Sequence, residues 1–195
     1  MSRVSRRLSL VLRHDPASLG ITLDAAGWAD VGELLRALAA SGTPLTRAEL
    51  DAEVARDAKQ RFALDAGGTR IRASQGHSVP VDLGYAPQEP PPVLFHGTPA
   101  RSVPAILREG LRRGDRHAVH LSPDAATARA VGARRGAAVV LRVDAAALAA
   151  SGAAFTRSAN GVWLVDAVPP QHLAVVGGAA APSLPDTPPA VRART

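Results

Sequence analysis

Val4, Leu8, Val11 and Leu12 fall on one face at helical spacing, and Ser2 stands where a helix cap belongs. Arg13-His14-Asp15-Pro16 ends that helix, because Pro16 biases Asp15 away from helical backbone. Gly20-Ile21-Thr22-Leu23 reads as a short strand. Val31, Leu34, Leu35 and Leu38 then define a second helical face, with Asp30 as its cap and Glu33 three residues on, as in a capping box. Thr46-Arg47-Ala48-Glu49 is a better capping box and starts a third helix. Residues 61–64 (RFAL) and 69–73 (TRIRA) alternate around Asp65-Ala66-Gly67-Gly68, the pattern of a hairpin. Helices followed by a two-stranded wing suggest a winged-helix module.

After the Pro-rich stretch 84–92 (GYAPQEPPP) the pattern changes. Residues 93–96, 118–121, 138–143 and 161–165 are strand-like, and 101–109, 123–134 and 144–150 are helical. The expected organisation is a first domain over 1–83, a stiff linker over 84–92, and an α+β domain over 93–178. Residues 179–195 carry much Pro and no apolar period, and are expected to be disordered.

Composition narrows the function. No run approaches the roughly 18 apolar residues of a membrane helix, and the basic start is too short and Arg-broken for a signal peptide. A cytoplasmic protein is expected. With no Cys, thiolate metal sites and a Cys nucleophile are excluded. The formal net charge is +6, and Lys59 is the single lysine, so 22 of 23 basic residues are Arg. Arg forks match phosphate geometry, which favours an anionic partner, nucleic acid first. Aromatics at 3% argue against strand binding by base stacking alone.

The chain has no P-loop, no Rossmann glycine fingerprint, no nucleophile elbow and no HExxH. His117 and His120 sit three apart at a strand edge and point to opposite faces, so no shared metal is expected. Seven short segments stand out: Arg13-His14, KQRF (59–62), IRASQGHS (71–78), FHGT (95–98), HLSPD (120–124), VGARRG (131–136) and ANGVWL (159–164). Each alone reads as easily as structure. Arg13-His14 complements a helix dipole, KQRF makes an exposed basic strand, and IRASQGHS makes a loop.

Taken in order, these segments resemble the RNA 2′-phosphotransferase family, over residues 3–177. The resemblance implies a winged-helix RNA lobe followed by an ADP-ribosyltransferase-like lobe. It implies NAD⁺ as a consumed co-substrate, no metal, RNA carrying an internal 2′-phosphate, and an expected monomer. In such enzymes the 2′-phosphate attacks the nicotinamide ribose and expels nicotinamide. Transesterification then frees the RNA and yields ADP-ribose 1″,2″-cyclic phosphate. The family's Arg-His-Arg-Arg set maps onto Arg13, His14, Arg61 and Arg134, with Arg135 as a rival for the last place. The resemblance further assigns His96, Gly97, Thr98, His120, Ser122, Asn160 and Val162 to NAD⁺, a His-His-hydrophobic variant without the acidic residue of protein-modifying relatives. Gln75, Gly76 and His77 are candidates for RNA contact or the lobe junction. Two other readings remain. An ADP-ribosyltransferase acting on nucleic-acid terminal phosphates needs only the first step. A non-enzymatic winged-helix nucleic-acid-binding protein explains the charge, but not FHGT, HLS and NGVW in that order.

Overall fold

In the computed structural model, residues 2–133 and 136–176 are described. The expected disordered segment 179–195 and residues Arg134 and Arg135 lie outside them. No helix among the described residues is long and apolar enough to cross a membrane. The architecture is mixed α+β.

Helix α1 (Arg3–Arg13) starts where its cap predicts, with the Ser2 side chain accepting from the Ser5 N–H. Its buried face is Ser5, Leu8, Val11 and Leu12. The expected strand at 20–23 does not form. Asp15 instead caps a 3₁₀ turn at Pro16–Leu19, and Gly20 closes it with φ 64°, so Ile21 enters the core from a loop. The strand in this region is β1 (Ala29–Asp30), running into α2 (Val31–Ala40), where Asp30 accepts from the Glu33 N–H. Helix α3 (Arg47–Arg56) has both halves of the Thr46–Glu49 capping box. The hairpin forms as β2 (Phe62–Leu64) and β3 (Arg70–Ala73), antiparallel, with β1 on the far side of β3. One hydrophobic cluster gathers Leu8, Leu12, Leu34, Leu50, Phe62 and Ile71 beneath these elements.

A second cluster, with Leu94, Leu121, Leu141, Phe155 and Trp163, belongs to the later elements. They are β4 (Val93–Pro99), a 3₁₀ turn and α4 (Val103–Glu109), β5 (Leu111–Arg112), β6 (Val119–Leu121) and α5 (Ala125–Gly132). Then follow β7 (Ala138–Asp144), α6 (Ala145–Ala150), β8 (Thr156–Arg157), β9 (Trp163–Val165), β10 (Ala167–Val168) and β11 (Leu173–Val175). Strands order as β11-β7-β4 and β6-β9-β8, with β10 paired to β5. Phe95 and Ser122 exchange backbone hydrogen bonds at 2.9 and 2.8 Å, tying β4 to the end of β6.

The Pro-rich stretch is docked on both sides. The Tyr85 hydroxyl donates to the Ser74 carbonyl at 2.7 Å, the Gln88 N–H donates to Phe155, and Pro92 accepts from Ala145. β3 and β4 belong to different sheets.

Candidate active site

Arg13 and His14 are placed by the end of α1. The His14 N–H donates to the Leu10 carbonyl as the helix stops, and the Arg13 carbonyl accepts from the Ser78 and Val79 N–H groups. The Arg13 side chain lies over the Phe62 ring, 5.9 Å from its centroid, and reaches the Arg61 carbonyl at 3.4 Å. Burial, then the charges of Arg61 and Arg116, push its pKa down to about 10. His14 Nδ1 lies 3.0 Å from the Ser78 hydroxyl. Its pKa is lowered by burial first, then by Arg13 and Arg116.

Arg61 is held by Asp57. The carboxylate pairs with the Arg61 guanidinium and accepts from the backbone N–H of Lys59 at 3.2 Å and of Arg61 at 2.7 Å. Within this clasp Gln60 takes φ 44°, a left-handed backbone that non-glycine residues rarely adopt. Its carbonyl is caught by the Ser74 hydroxyl at 2.7 Å. The side-chain amide of Asn160 donates to the Lys59 carbonyl at 2.9 Å. The NGVW and KQRF segments, a hundred residues apart, are thus joined.

His96 on β4 and His120 on β6 are neighbours. The His120 carbonyl lies 3.1 Å from His96 Nδ1. Only an N–H can satisfy a carbonyl, so in the neutral ring Nε2 of His96 keeps its lone pair. Burial lowers both pKa values, that of His120 to about 3. His120 Nε2 is buried with no hydrogen-bond partner. Gly76 lies between the two halves of the site. A Cβ there would sit 3.8 Å from Arg13 Nη1 and 3.9 Å from His120 Nε2. A longer side chain would enter the space between those groups.

The remaining predicted residues separate. Thr98 is 4% exposed. Gly97 lacks a side chain because α5 crosses it: a Cβ would lie 1.7 Å from the Ala128 carbonyl oxygen. The close approach made there is by a helix. Val162 closes a turn with Ser158, which donates to its carbonyl and accepts from its N–H. Ser122 contributes its backbone to the β4–β6 junction, and Gln75 is half-buried beside Gly76. His77 is 1% exposed, its ring stacked on His117 with centroids 6.2 Å apart, and neither ring nitrogen has a partner.

Sequence reasoning missed Arg116. Behind burial in each case, its charge lowers the pKa of Arg13, His14, His96 and His120, so this exposed arginine acts on both halves of the cluster. The available signal was its position four residues before His120, in DRHAVHLS. Asp57 is the carboxylate that acts on Arg13, and it is committed to Arg61. No group of three or more metal-binding side chains occurs among the described residues. Three arginines, with imidazoles kept neutral by burial and by those arginines, make a site short of negative charge. It suits a phosphate.

Residues 1–167 match the profile of the RNA 2′-phosphotransferase, Tpt1 / KptA family. The chain is 58% identical over 171 residues to a probable RNA 2′-phosphotransferase of Agrobacterium fabrum, covering 88% of this chain and 92% of that protein. It is 54% identical over 182 residues to one of Streptomyces griseus, covering 90% and 96%. A Burkholderia pseudomallei protein of the same description is 51% identical over 176 residues, covering 90% and 96%.

Proposed function

The chain belongs to the RNA 2′-phosphotransferase family, and on that premise we propose that it removes an internal 2′-phosphate from RNA by transferring it to NAD⁺. The RNA phosphate bonds to the anomeric carbon of the nicotinamide ribose as nicotinamide leaves. The adjacent ribose hydroxyl then bonds to phosphorus as the RNA 2′-oxygen departs. The products are 2′-hydroxyl RNA, nicotinamide and ADP-ribose 1″,2″-cyclic phosphate. In this reading the chain is a cytoplasmic monomer, residues 1–83 are a winged-helix lobe for RNA, and residues 93–178 serve NAD⁺.

The observation that supports the reading is that Arg13 packs on Phe62 and reaches the Arg61 carbonyl, with His14 next to it in the chain and Gly76 between Arg13 and His120 Nε2. Arg13 and Arg61 hold and aim the phosphate. Arg116 adds charge on the side of His96 and His120. Arg116 is a further candidate for the fourth place beside Arg134 and Arg135, which lie outside the described residues. His14 takes the proton of the attacking ribose hydroxyl and returns it to the departing RNA oxygen. Its low pKa keeps the ring neutral and able to accept. Ser78 fixes the ring by its Nδ1.

NAD⁺ supplies the anomeric carbon with a good leaving group. The chain fits it at one testable point: His120 Nε2 is buried, unpartnered and adjacent to Gly76 and Arg13, and as the lone-pair nitrogen of a neutral ring it would be satisfied by a ribose hydroxyl donating to it. His96 Nε2 offers a second acceptor beside it. Gly97, Thr98, Ser122 and Val162 are assigned to the NAD⁺ side by the resemblance alone, and Asn160 joins its segment to KQRF.

The test is a gel of labelled 2′-phosphorylated RNA with NAD⁺, following substrate, ADP-ribosylated RNA and dephosphorylated product. His14→Ala is expected to accumulate the ADP-ribosylated species, and His96→Ala to leave substrate untouched. Wild-type rates with no such species in the His14 variant would remove His14 from the chemistry.

A further inference from the structure

Helix α1 carries Arg3, Arg6, Arg7 and Arg13 and no acidic residue. At 100° per residue, Arg3, Arg6, Leu10 and Arg13 fall on one stripe, opposite the buried Leu8 and Leu12. Arg3, Arg6 and Leu10 are exposed, and Leu10 is 41% exposed despite being apolar. The stripe ends at Arg13, inside the site. With a rise of about 1.5 Å per residue, Arg6 stands about 10 Å and Arg3 about 15 Å along the axis from Arg13.

This placement works against the helix. Basic residues at a helix N-terminus oppose the macrodipole, and the first turn has no carboxylate to offset them. No ion pair of Arg3 or Arg6 occurs among the described residues. The carboxylate that reaches this end, Glu53, accepts from the Ser2 hydroxyl at 2.7 Å. An arrangement unfavourable to the helix itself is expected where it serves another role, such as holding an anionic ligand.

A hollow of about 230 Å³ lies between α1 and α2 and meets the stripe at its first residue, Arg3; it is lined also by Arg7, Leu8, Leu38, Pro44 and Leu45. Its apolar floor and Arg rim suit a nucleobase whose phosphates lie outside. Arg7 Nε is buried there without a hydrogen-bond partner.

We infer that the RNA strand flanking the 2′-phosphate runs along the outer face of α1, with its phosphates on Arg6 and Arg3 and a base in the hollow against Leu38 and Leu45. The inference rests on the RNA reading above and adds a path to it. The protein then senses RNA a few nucleotides from the reacting group, so affinity depends on substrate length.

The test uses the full chain and its Arg3→Glu/Arg6→Glu variant. Binding is measured to a 2′-phosphorylated dinucleotide and to a twelve-nucleotide RNA with the same internal phosphate, across a salt series without NAD⁺. For the longer RNA, the variant is expected to lose at least tenfold in affinity beyond any loss for the dinucleotide. Its slope of log affinity against log salt should fall by about 1.4, two phosphates at roughly 0.7 each for a single strand. Melting should occur at or above the wild-type temperature, because Glu in the first turn favours the dipole. Arg3→Gln/Arg6→Gln serves if the charge reversal disturbs folding. Equal slopes and an unchanged ratio of long to short affinity in a folded variant overturn the inference. Nicotinamide release from NAD⁺ is scored separately on the wild type, so a failure of the chemistry is distinguishable from a failure of the path.

Discussion

His77 is a buried titratable group with an acid-sensitive consequence. Both ring nitrogens lack partners, and burial, followed by the charge of Arg13, pushes its pKa from 6.5 down to about 4. The folded state therefore keeps the ring neutral while the unfolded chain protonates it near the ordinary value. Below that value the unfolded state binds more protons, so stability falls as pH falls from about 6.5 toward 4. Integrating the two titrations gives a loss of about 2 kcal/mol between pH 7 and 5 and about 3 kcal/mol by pH 4. His77→Leu removes this component. The replacement meets apolar neighbours, since Leu83 and Val81 lie with the ring around Gly27. Urea unfolding of both proteins at pH 7, 5 and 4 isolates it, because other acid-labile groups cancel in the difference. The variant's curve should be flatter by those amounts, whatever its offset at pH 7. Parallel curves would show that His77 is not held neutral.

Asp57→Ala should destabilise by about 3 kcal/mol or more, because a half-buried guanidinium loses its partner. Asp57→Asn, which keeps one oxygen to accept from the Arg61 N–H but removes the charge and the second acceptor, should cost less than Ala; urea midpoints check both, and an Asn variant as stable as wild type would deny the charge a role. Arg116→Gln should raise the pKa of His14, since a neighbouring cation is removed. An NMR titration of the imidazole reads the shift, and an unmoved midpoint places Arg116 elsewhere. Gly97→Ala should cost about 3 kcal/mol or more, because its Cβ meets the Ala128 carbonyl at 1.7 Å. A melt equal to wild type would refute the close packing of α5 on β4.

What was legible in the sequence was local. The Thr46–Glu49 box, the Ser2 cap and the Gly-rich hairpin turn act over three or four residues, and each stands where expected. The strand expected at 20–23 failed because a capped Pro turn and a left-handed Gly20 took the chain out of extension. Strands β1, β5, β8 and β10 have two residues each, too short for a period. Their partners are distant, as in Ala29 opposite Ile71 and Val168 opposite Leu111. The same logic governs the site. Arg13-His14 was visible at a helix end, and FHGT at a strand end. Arg116 was one arginine among 22, and only its reach to Arg13, His14, His96 and His120 distinguishes it. Gly97 was visible as a glycine, but not the helix that requires it. Asn160 was visible too, but its bond to the Lys59 carbonyl needs both halves folded.

The central claim is that the 2′-phosphate leaves the RNA on a fragment of NAD⁺. RNA labelled with ³²P at an internal 2′-phosphate, incubated with the protein and NAD⁺, tests it in one measurement when the labelled product is resolved by chromatography. The account predicts that the label moves to ADP-ribose 1″,2″-cyclic phosphate, one nicotinamide released per phosphate removed, and that omitting NAD⁺ leaves the label on RNA. Label released as inorganic phosphate, or released without NAD⁺, would contradict it.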